Sequence, residues 1–315
     1  QVRQQVNMDD YEACDLISQP VEGWLVGRLP EGATVAYDPW LHTQVEVARI
    51  TTVLQDAGLN FTPVGQNPLD AVWKDRPASP REPVQVYSKA LAGETSQSKR
   101  QRIAEQLKKH KAQSAVIAAP DSIAWLLNIR GGDVVHTPLA LSYALLHTDA
   151  TVDWFIDDSK ISDEVRRHVG AEVRIVPMIE MAAKLAEQGA AKARVLLDLK
   201  RAPSWFHFQL AESGAIIVPE DDVCLLPKAI KNETEVAGIR HAHLRDGVAL
   251  CRLLYWLDTE ATQRDVTELE VEKQLLGLRQ EQDGFQEPSF ETIAGSAGHG
   301  AIVHYRATEE SNAVL

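Results

Sequence analysis

Near its end, the chain places a histidine after a glycine-rich loop and a short apolar run. Three glycines lie within residues 295–300, and the apolar run 301–303 leads into His304. Glycine allows positive φ angles and close backbone approach, and a short apolar run is typical of a buried strand. We therefore predict a strand–loop–strand over residues 289–304, with the His304 imidazole meeting a ligand where the second strand ends. The alternative is an ordinary turn with a hydrogen-bonded histidine.

A second loop combines three kinds of polar side chain around two glycines. Arg130, Asp133 and His136 lie between a predicted helix and a predicted strand. Loops on a rigid scaffold often carry function. These three residues are therefore candidate substrate-binding residues in a loop that faces a cleft. The alternative is a turn in which Asp133 accepts hydrogen bonds from backbone N–H groups.

Other polar clusters are weaker candidates for a metal site. His241 and His243 lie two residues apart on a predicted helix, so they point to different faces and cannot share a metal ion. Asp153, Asp157 and Asp158 flank an apolar run, which is more typical of a solvated turn than of metal ligands. We predict no metal ligand and no catalytic residue within these 315 residues.

The cysteines do not indicate a disulfide framework. Cys14, Cys224 and Cys251 are three in number and form no C-x-x-C pair. We interpret them as buried, reduced thiols of a cytoplasmic protein. Neither Cys224 nor Cys251 has the setting of a reactive nucleophile.

Composition excludes several function classes. The chain has 315 residues, a net charge of −13, 44% hydrophobic residues and 24% charged residues, which is typical of a globular protein. The acidic balance argues against a nucleic-acid partner, because phosphate binding requires clustered lysine and arginine. No apolar run is long enough to cross a bilayer, and no signal peptide opens the chain. We find no internal repeat.

Elements that could position these residues fall into three units, 1–81, 82–222 and 223–315. Prolines and polar residues over 75–83 separate the first two units and indicate a linker. In the first unit we predict strands at 24–26 and 34–37 and helices at 1–8, 43–57 and 67–73.

The second unit alternates strands and helices, which predicts a mixed α/β layer structure. Strands are expected at 115–119, 139–146, 152–156, 173–176 and 194–199. Helices are expected at 96–112, 121–127 with Asp121 as its N-cap, 162–169 and 179–188.

The third unit is predicted to begin with two helices. The first runs over 233–260 and is capped by Asn232 or Thr234, with an inward stripe that includes Ile239 and Leu254. The second runs over 267–280, where Thr267 and Glu270 have the spacing of a capping box.

Four segments, in order along the chain, resemble the aminopeptidase P family (Xaa-Pro aminopeptidases) in its long, three-domain form. They are Ala71–Pro77, Asp121–Asp133, Lys228–Asn232 and Phe290–Tyr305. The resemblance implies an α/β (α+β) protein with creatinase-N-like mixed sheets and covering helices. The resemblance also implies that these sheets and helices are followed by the first part of a pita-bread catalytic domain.

The family hydrolyses the N-terminal residue from peptides with proline in the second position. The resemblance therefore implies proline-containing peptides as substrates, and two divalent metal ions, usually manganese, that hold the attacking hydroxide. It implies that His304 contacts the substrate, whereas His299 has no counterpart in the family. The family's metal ligands would follow Leu315, and its substrate-binding arginine would precede Gln1. Both ends therefore look cut, and we expect the 315 residues alone to be inactive.

Two alternatives stay open. One is a pita-bread protein that has lost its metals and binds protein partners. The other is a metal-free hydrolase of the creatinase type, acting on a small guanidino compound. The family also implies a possible homodimer, with no membrane partner.

Overall fold

A computed structural model describes residues 2–315 of the protein. The first elements are α1 (Val2–Gln5), α2 (Val21–Val26), β1 (Thr34–Tyr37), α3 (Gln44–Asp56), β2 (Asn60–Pro63) and α4 (Pro68–Val72). β1 and β2 pair in parallel. The predicted strand at 24–26 is wrong, because these residues lie in α2. A run of only three apolar residues is compatible with both a helix and a strand, and Pro20, at the N-cap of α2, favours the start of a helix.

A six-stranded mixed sheet forms the centre of the molecule, with strand order β10-β9-β4-β6-β7-β8. Its strands are β4 (Ser114–Ile117), β6 (Tyr143–His147), β7 (Val152–Phe155), β8 (Val173–Val176), β9 (Arg194–Leu197) and β10 (Ile216–Pro219). β6 is antiparallel to both β4 and β7, and the other pairs are parallel. The predicted strand pair 139–146 and 152–156 is confirmed as β6 and β7, except that residues 139–142 precede β6 and form no strand.

Helices cover both faces of this sheet, and apolar side chains fill the space between. They are α5 (Lys89–Ala92), α6 (Ser96–Lys109), α7 (Pro120–Leu127), α8 (Asp163–Val169), α9 (Met181–Ala190) and α10 (Ser204–Ser213). One core cluster includes the fully buried Trp154, and the other includes Phe206. Asp121 is not the cap of α7, because Pro120 already occupies its first turn.

A short antiparallel pair lies beside the main sheet. β3 (Gln85–Val86) pairs with β5 (Ile129–Arg130), so Arg130 is fixed on a strand rather than on a free loop. The preceding residues 75–83 form neither helix nor strand, as predicted for a linker.

The remaining helices are α11 (Leu225–Ala229), α12 (Glu233–Glu260) and α13 (Glu268–Gln280). The predicted capping box of α13 is confirmed, and of the two candidate caps of α12 it is Asn232 and not Thr234. Asn232 and Thr267 each form a capping box with the glutamate three positions later. No helix among residues 2–315 is both long enough and apolar enough to span a bilayer.

The predicted inward stripe of α12 is wrong. Leu254 is 61% exposed and Ile239 is 45% exposed, whereas Ala249 and Leu253 are buried against α13. Helical spacing identifies an apolar face, but the face is buried only where another element covers it.

The predicted strands within 289–304 are also wrong. These residues form a 3₁₀ turn at Ala297–Ala301 and irregular backbone around it. Val303 is 72% exposed, so the apolar run is not buried. Strands require backbone partners, and within residues 2–315 no neighbouring strand pairs with this segment.

Candidate substrate-binding site

A fully buried carboxylate holds the segment that carries His304. Glu268, the first residue of α13, is 0% exposed. It accepts hydrogen bonds from the backbone N–H groups of Ser296 (2.7 Å) and Ala313 (3.2 Å) and from the Tyr305 hydroxyl (2.8 Å). Nδ1 of His299 lies 2.8 Å from the same carboxylate. Burial alone would raise the pKa of Glu268, but these hydrogen bonds outweigh it and lower that pKa to about 2.

Two further contacts close the loop around this carboxylate. The rings of His299 and Tyr305 stack with centroids 4.5 Å apart. The backbone folds back on itself at Gly295, where an added Cβ would lie 3.0 Å from the backbone nitrogen of Gly300. This close approach agrees with the role that the sequence predicts for the glycines. The positive φ angles, however, fall at Ala297 (46°) and His304 (54°) rather than at the three glycines.

His304 extends from this fixed loop into solvent. It directly precedes the buried Tyr305, whose hydroxyl is bound by Glu268. Within residues 2–315 its imidazole makes no hydrogen bond and no ion pair, and the residue is exposed. The ring is therefore accessible, on a backbone that its neighbours hold in place, and a substrate contact of His304 stays a prediction.

The second predicted loop reaches the segment that leads into the His304 loop. Nδ1 of His136 lies 3.0 Å from the carbonyl oxygen of Pro288, and the His136 backbone N–H donates to Glu287 (3.2 Å). Among the described residues, no hydrogen bond or ion pair joins Arg130, Asp133 or His136 to His304. The two candidate regions therefore meet through residues 287–288.

Asp133 has the contacts that the turn alternative predicted. Its carboxylate accepts the backbone N–H groups of Glu82 (3.2 Å) and Leu141 (2.7 Å). It also pairs with the buried Lys160 Nζ at 2.6 Å. These three contacts hold the loop in place. A substrate role for Asp133 stays a prediction.

Arg130 is likewise held by the fold. Its guanidinium lies over the Tyr87 ring at 3.8 Å and donates to the Ile129 carbonyl oxygen at 2.8 Å. Burial lowers the pKa of Arg130. A substrate contact of Arg130 also stays a prediction.

Two residues of the motif Asp121–Asp133 bind the buried side chain of Lys99, which lies on α6. Nζ of Lys99 donates to the carbonyl oxygen of Trp125 (3.0 Å) and to Oδ1 of Asn128 (2.7 Å), and lies 4.6 Å from the Trp125 ring centroid. Burial is the main cause that lowers the pKa of Lys99 to about 8. The tryptophan and asparagine of this motif thus have a structural role.

We expect the lowered pKa of Lys99 to appear in the pH dependence of stability. The pKa in the folded chain is about 8, below the reference value of 10.5. Between these values the unfolded chain binds more protons, so the free energy of unfolding rises with pH. Urea unfolding at pH 8 and pH 10 measures this rise, and Lys99→Met should reduce it. An unchanged rise in Lys99→Met would contradict this assignment.

The described residues do not fit the two metal ions that the resemblance implies. Among residues 2–315, no cluster of three or more His, Cys, Asp or Glu side chains is suited to a metal ion. His241 and His243 are exposed on α12. We therefore assign no chemical step of this chain to a metal.

Asp153 corrects the solvated-turn interpretation. It is 3% exposed, and its carboxylate accepts hydrogen bonds from Arg174 (2.5 Å) and His147 Nε2 (3.0 Å). Burial would raise the pKa of Asp153, but these two partners lower it. Asp153 lies within β7, which the flanking strands and helices bury, whereas Asp158 lies beyond the end of the strand and is exposed.

The cysteine interpretation holds for one residue. Cys224 is buried, and burial raises the pKa of its thiol well above the usual value, so it is a poor nucleophile. Cys14 and Cys251 are free and exposed, which corrects the prediction that all three are buried.

Comparisons with known proteins cover both halves of the chain. Residues 75–235 match the Creatinase/Prolidase N-terminal domain, and residues 237–314 match Metallopeptidase family M24. A "Probable Xaa-Pro aminopeptidase P" from Aspergillus niger is 34% identical in an alignment of 316 positions that covers 95% of this chain and 51% of the relative. The corresponding protein of Neosartorya fischeri is 35% identical, over 90% of this chain and 44% of the relative.

Comparison with solved structures also finds similarity to proline-specific peptidases. The X-prolyl aminopeptidase of Caenorhabditis elegans, described as a cytosolic enzyme with a di-nuclear active site, matches with a TM-score of 0.85 and 32% identity. The match covers 93% of this chain and 49% of that chain. A prolidase from Pyrococcus horikoshii, at 20% identity and a TM-score of 0.50, shares the fold. The chain spans about half the length of the relatives it matches.

Proposed function

The chain belongs to the creatinase/prolidase and M24 metallopeptidase family, among the Xaa-Pro aminopeptidases P, and on that premise we propose that the whole protein is an Xaa-Pro aminopeptidase. It would remove the N-terminal residue from peptides with proline in the second position. The observation that carries this proposal is the exposed His304 imidazole on a loop anchored by Glu268, within the segment that matches family M24.

In this proposal His304 binds the substrate. An imidazole N–H directed at the scissile carbonyl donates to the oxygen on which negative charge develops, and such donors lower the barrier most when they are fixed in advance. Glu268 holds the loop in place on both sides of the 3₁₀ turn, through its hydrogen bonds to Ser296 and Tyr305. Arg130, Asp133 and His136 would support the wall of the same cleft.

We propose that two divalent metal ions, manganese by the resemblance, take part in the whole protein. Manganese prefers the oxygen ligands of carboxylates. Because residues 2–315 contain no suitable cluster of such ligands, we expect the 315 residues by themselves to be inactive. We further propose a cytosolic location and a homodimer for the whole protein.

His304→Gln should lower kcat/KM for an Xaa-Pro peptide by roughly 100-fold in the whole protein, because one donor to the transition state is lost. The measurement is manganese-supplemented release of the first residue from an Xaa-Pro peptide. His243→Gln, which changes an exposed histidine of α12, is the matched control and should leave kcat/KM unchanged. Equal kcat/KM in both variants would remove His304 from the site.

The same assay separates the alternatives. Cleavage of an Xaa-Pro peptide but not of its Xaa-Ala counterpart supports the aminopeptidase. Turnover of creatine without added metal would instead identify the creatinase type. Neither activity, in a protein that is folded by circular dichroism, would favour the non-catalytic binding module.

A further inference from the structure

A structural repeat, which sequence similarity does not reveal, relates two parts of the chain. The units β1–α3–β2 and β9–α10–β10 each contain two parallel strands joined by a helix. Asp38 directly follows β1 and Asp198 directly follows β9, and each helix begins the same number of residues later.

The two units face each other across a local two-fold axis. The Val45 backbone N–H donates to the Leu199 carbonyl oxygen, and the Trp205 backbone N–H donates to the Pro39 carbonyl oxygen, both at 3.1 Å. Val45 corresponds to Trp205, and Pro39 to Leu199, so the two bonds are symmetric counterparts. The ends of β1 and β9 can therefore be compared residue by residue.

At the end of β9, the chain's own cations neutralise the carboxylates. Oδ1 of Asp198 accepts the backbone N–H of Lys200 (2.9 Å), and Oδ2 accepts the Arg201 guanidinium (2.8 Å). Arg201 also lies 3.2 Å from Asp221, which follows β10, and Lys200 Nζ lies 3.1 Å from the same carboxylate. An arginine thus bridges the acidic residues that follow two parallel strands.

The end of β1 has the counterpart of Asp198 but lacks both cations, and Gly65 stands where Asp221 follows β10. Oδ1 of Asp38 accepts the Trp40 backbone N–H at 2.8 Å, as Asp198 does in its unit. The residues that correspond to Lys200 and Arg201 are Trp40 and Leu41. Oδ2 of Asp38 accepts a hydrogen bond from the neutral side-chain amide of Asn67 at 3.0 Å. Among residues 2–315, Asp38 forms no ion pair.

A cleft of about 780 Å³ opens at this position, between the carboxyl ends of β1 and β2 and helix α10. Its lining includes Asp38, Trp40, Asn67, Trp205, Phe208 and Glu212, and contains no lysine, arginine or histidine. Glu212 is exposed and makes no hydrogen bond or ion pair within the described residues. Asp70, also in the lining, already pairs with Arg76. Ligands of open α/β sheets commonly bind at the carboxyl ends of strands.

The aromatic lining complements the carboxylates. The indoles of Trp40 and Trp205 stack with centroids 4.4 Å apart, and both are half-buried. A guanidinium is planar, stacks on aromatic faces and donates to carboxylates at the same time. We propose that this cleft binds the side chain of an arginine in a peptide or protein partner, whose guanidinium would pair with Asp38 as Arg201 pairs with Asp198.

The proposal is tested by calorimetric titration with N-acetyl-arginine amide, which has no free N-terminus and no proline. Its binding is therefore independent of the proposed peptidase activity. We expect saturable binding in the millimolar range, at least about tenfold weaker for N-acetyl-citrulline amide, which has the same shape without the charge. Higher salt should weaken the binding.

Charge-neutral variants locate the site. Glu212→Gln and Asp38→Asn should each weaken binding of N-acetyl-arginine amide by roughly fivefold. Asp221→Asn removes a carboxylate that is already paired in the other unit, and binding should be unchanged. Unfolding temperatures verify that the variants fold, and Glu212 is exposed, so its replacement should leave the fold intact. Equal binding of arginine and citrulline probes, no saturable binding, or no effect of Glu212→Gln would overturn the proposal.

Discussion

Glu268→Gln should release the segment that carries His304. The carboxylate accepts from four groups, and a glutamine side chain presents an N–H₂ donor where one oxygen now accepts. At least one buried donor then loses its partner. We expect the backbone amides of Ser296 and Ala313 to exchange with deuterium on the order of tenfold faster. In the active whole protein, kcat/KM should fall by roughly 100-fold, because His304 is no longer fixed.

Glu272→Gln is the matched control for this variant. It makes the same chemical change one turn further along α13, at a side chain that makes no hydrogen bond within residues 2–315. Both amides should then keep their native exchange rates.

Acid titration gives an independent measurement of the same carboxylate. The pKa in the folded chain is about 2, against an ordinary value of 4.5. The stabilisation is therefore complete above pH 4.5 and is lost as the pH falls from 4.5 towards 2. Protection of the Ser296 amide should follow that loss in the native chain but not in Glu268→Gln. Native exchange rates in this variant would show that the loop is held by other contacts.

Asp133→Ala should lower the free energy of unfolding by about 3–5 kcal/mol, because it leaves the buried Lys160 ammonium without its partner. The side chains of Asp133 and Lys160 are 0% and 5% exposed, and they lie 2.6 Å apart. Two backbone N–H groups lose their acceptor as well. Urea unfolding measures the change.

Two further variants make this result specific. Asp158→Ala breaks an exposed ion pair with Arg166, and its cost should stay below about 1 kcal/mol. The double variant Asp133→Ala, Lys160→Met removes both charges and should recover part of the lost stability. A loss in Asp133→Ala no larger than that in Asp158→Ala would contradict the structural role of the Asp133–Lys160 pair.

Local chemistry explains which elements could be predicted. The starts of α12 and α13 follow from Asn232 and Thr267, because a capping box joins residues only three positions apart. The same holds for the close backbone approach at Gly295, which meets Gly300 within one loop. The buried runs of the central sheet, such as 195–197 in β9, are also visible in the sequence because consecutive apolar residues are typical of a strand that is covered on both faces.

The sequence by itself therefore determined the family resemblance, the mixed α/β class, the caps of α12 and α13 and His304 as a candidate. Only the tertiary structure decided that Glu268 is the anchor of the His304 loop. Its partners lie 28 to 45 residues away, and a glutamate at a helix start looks the same whether it faces solvent or a buried network. Distance along the chain also explains the missing strands at 289–304 and the exposed face of α12. Strand pairing and helix burial depend on a second element, and no local pattern specifies whether that element is present.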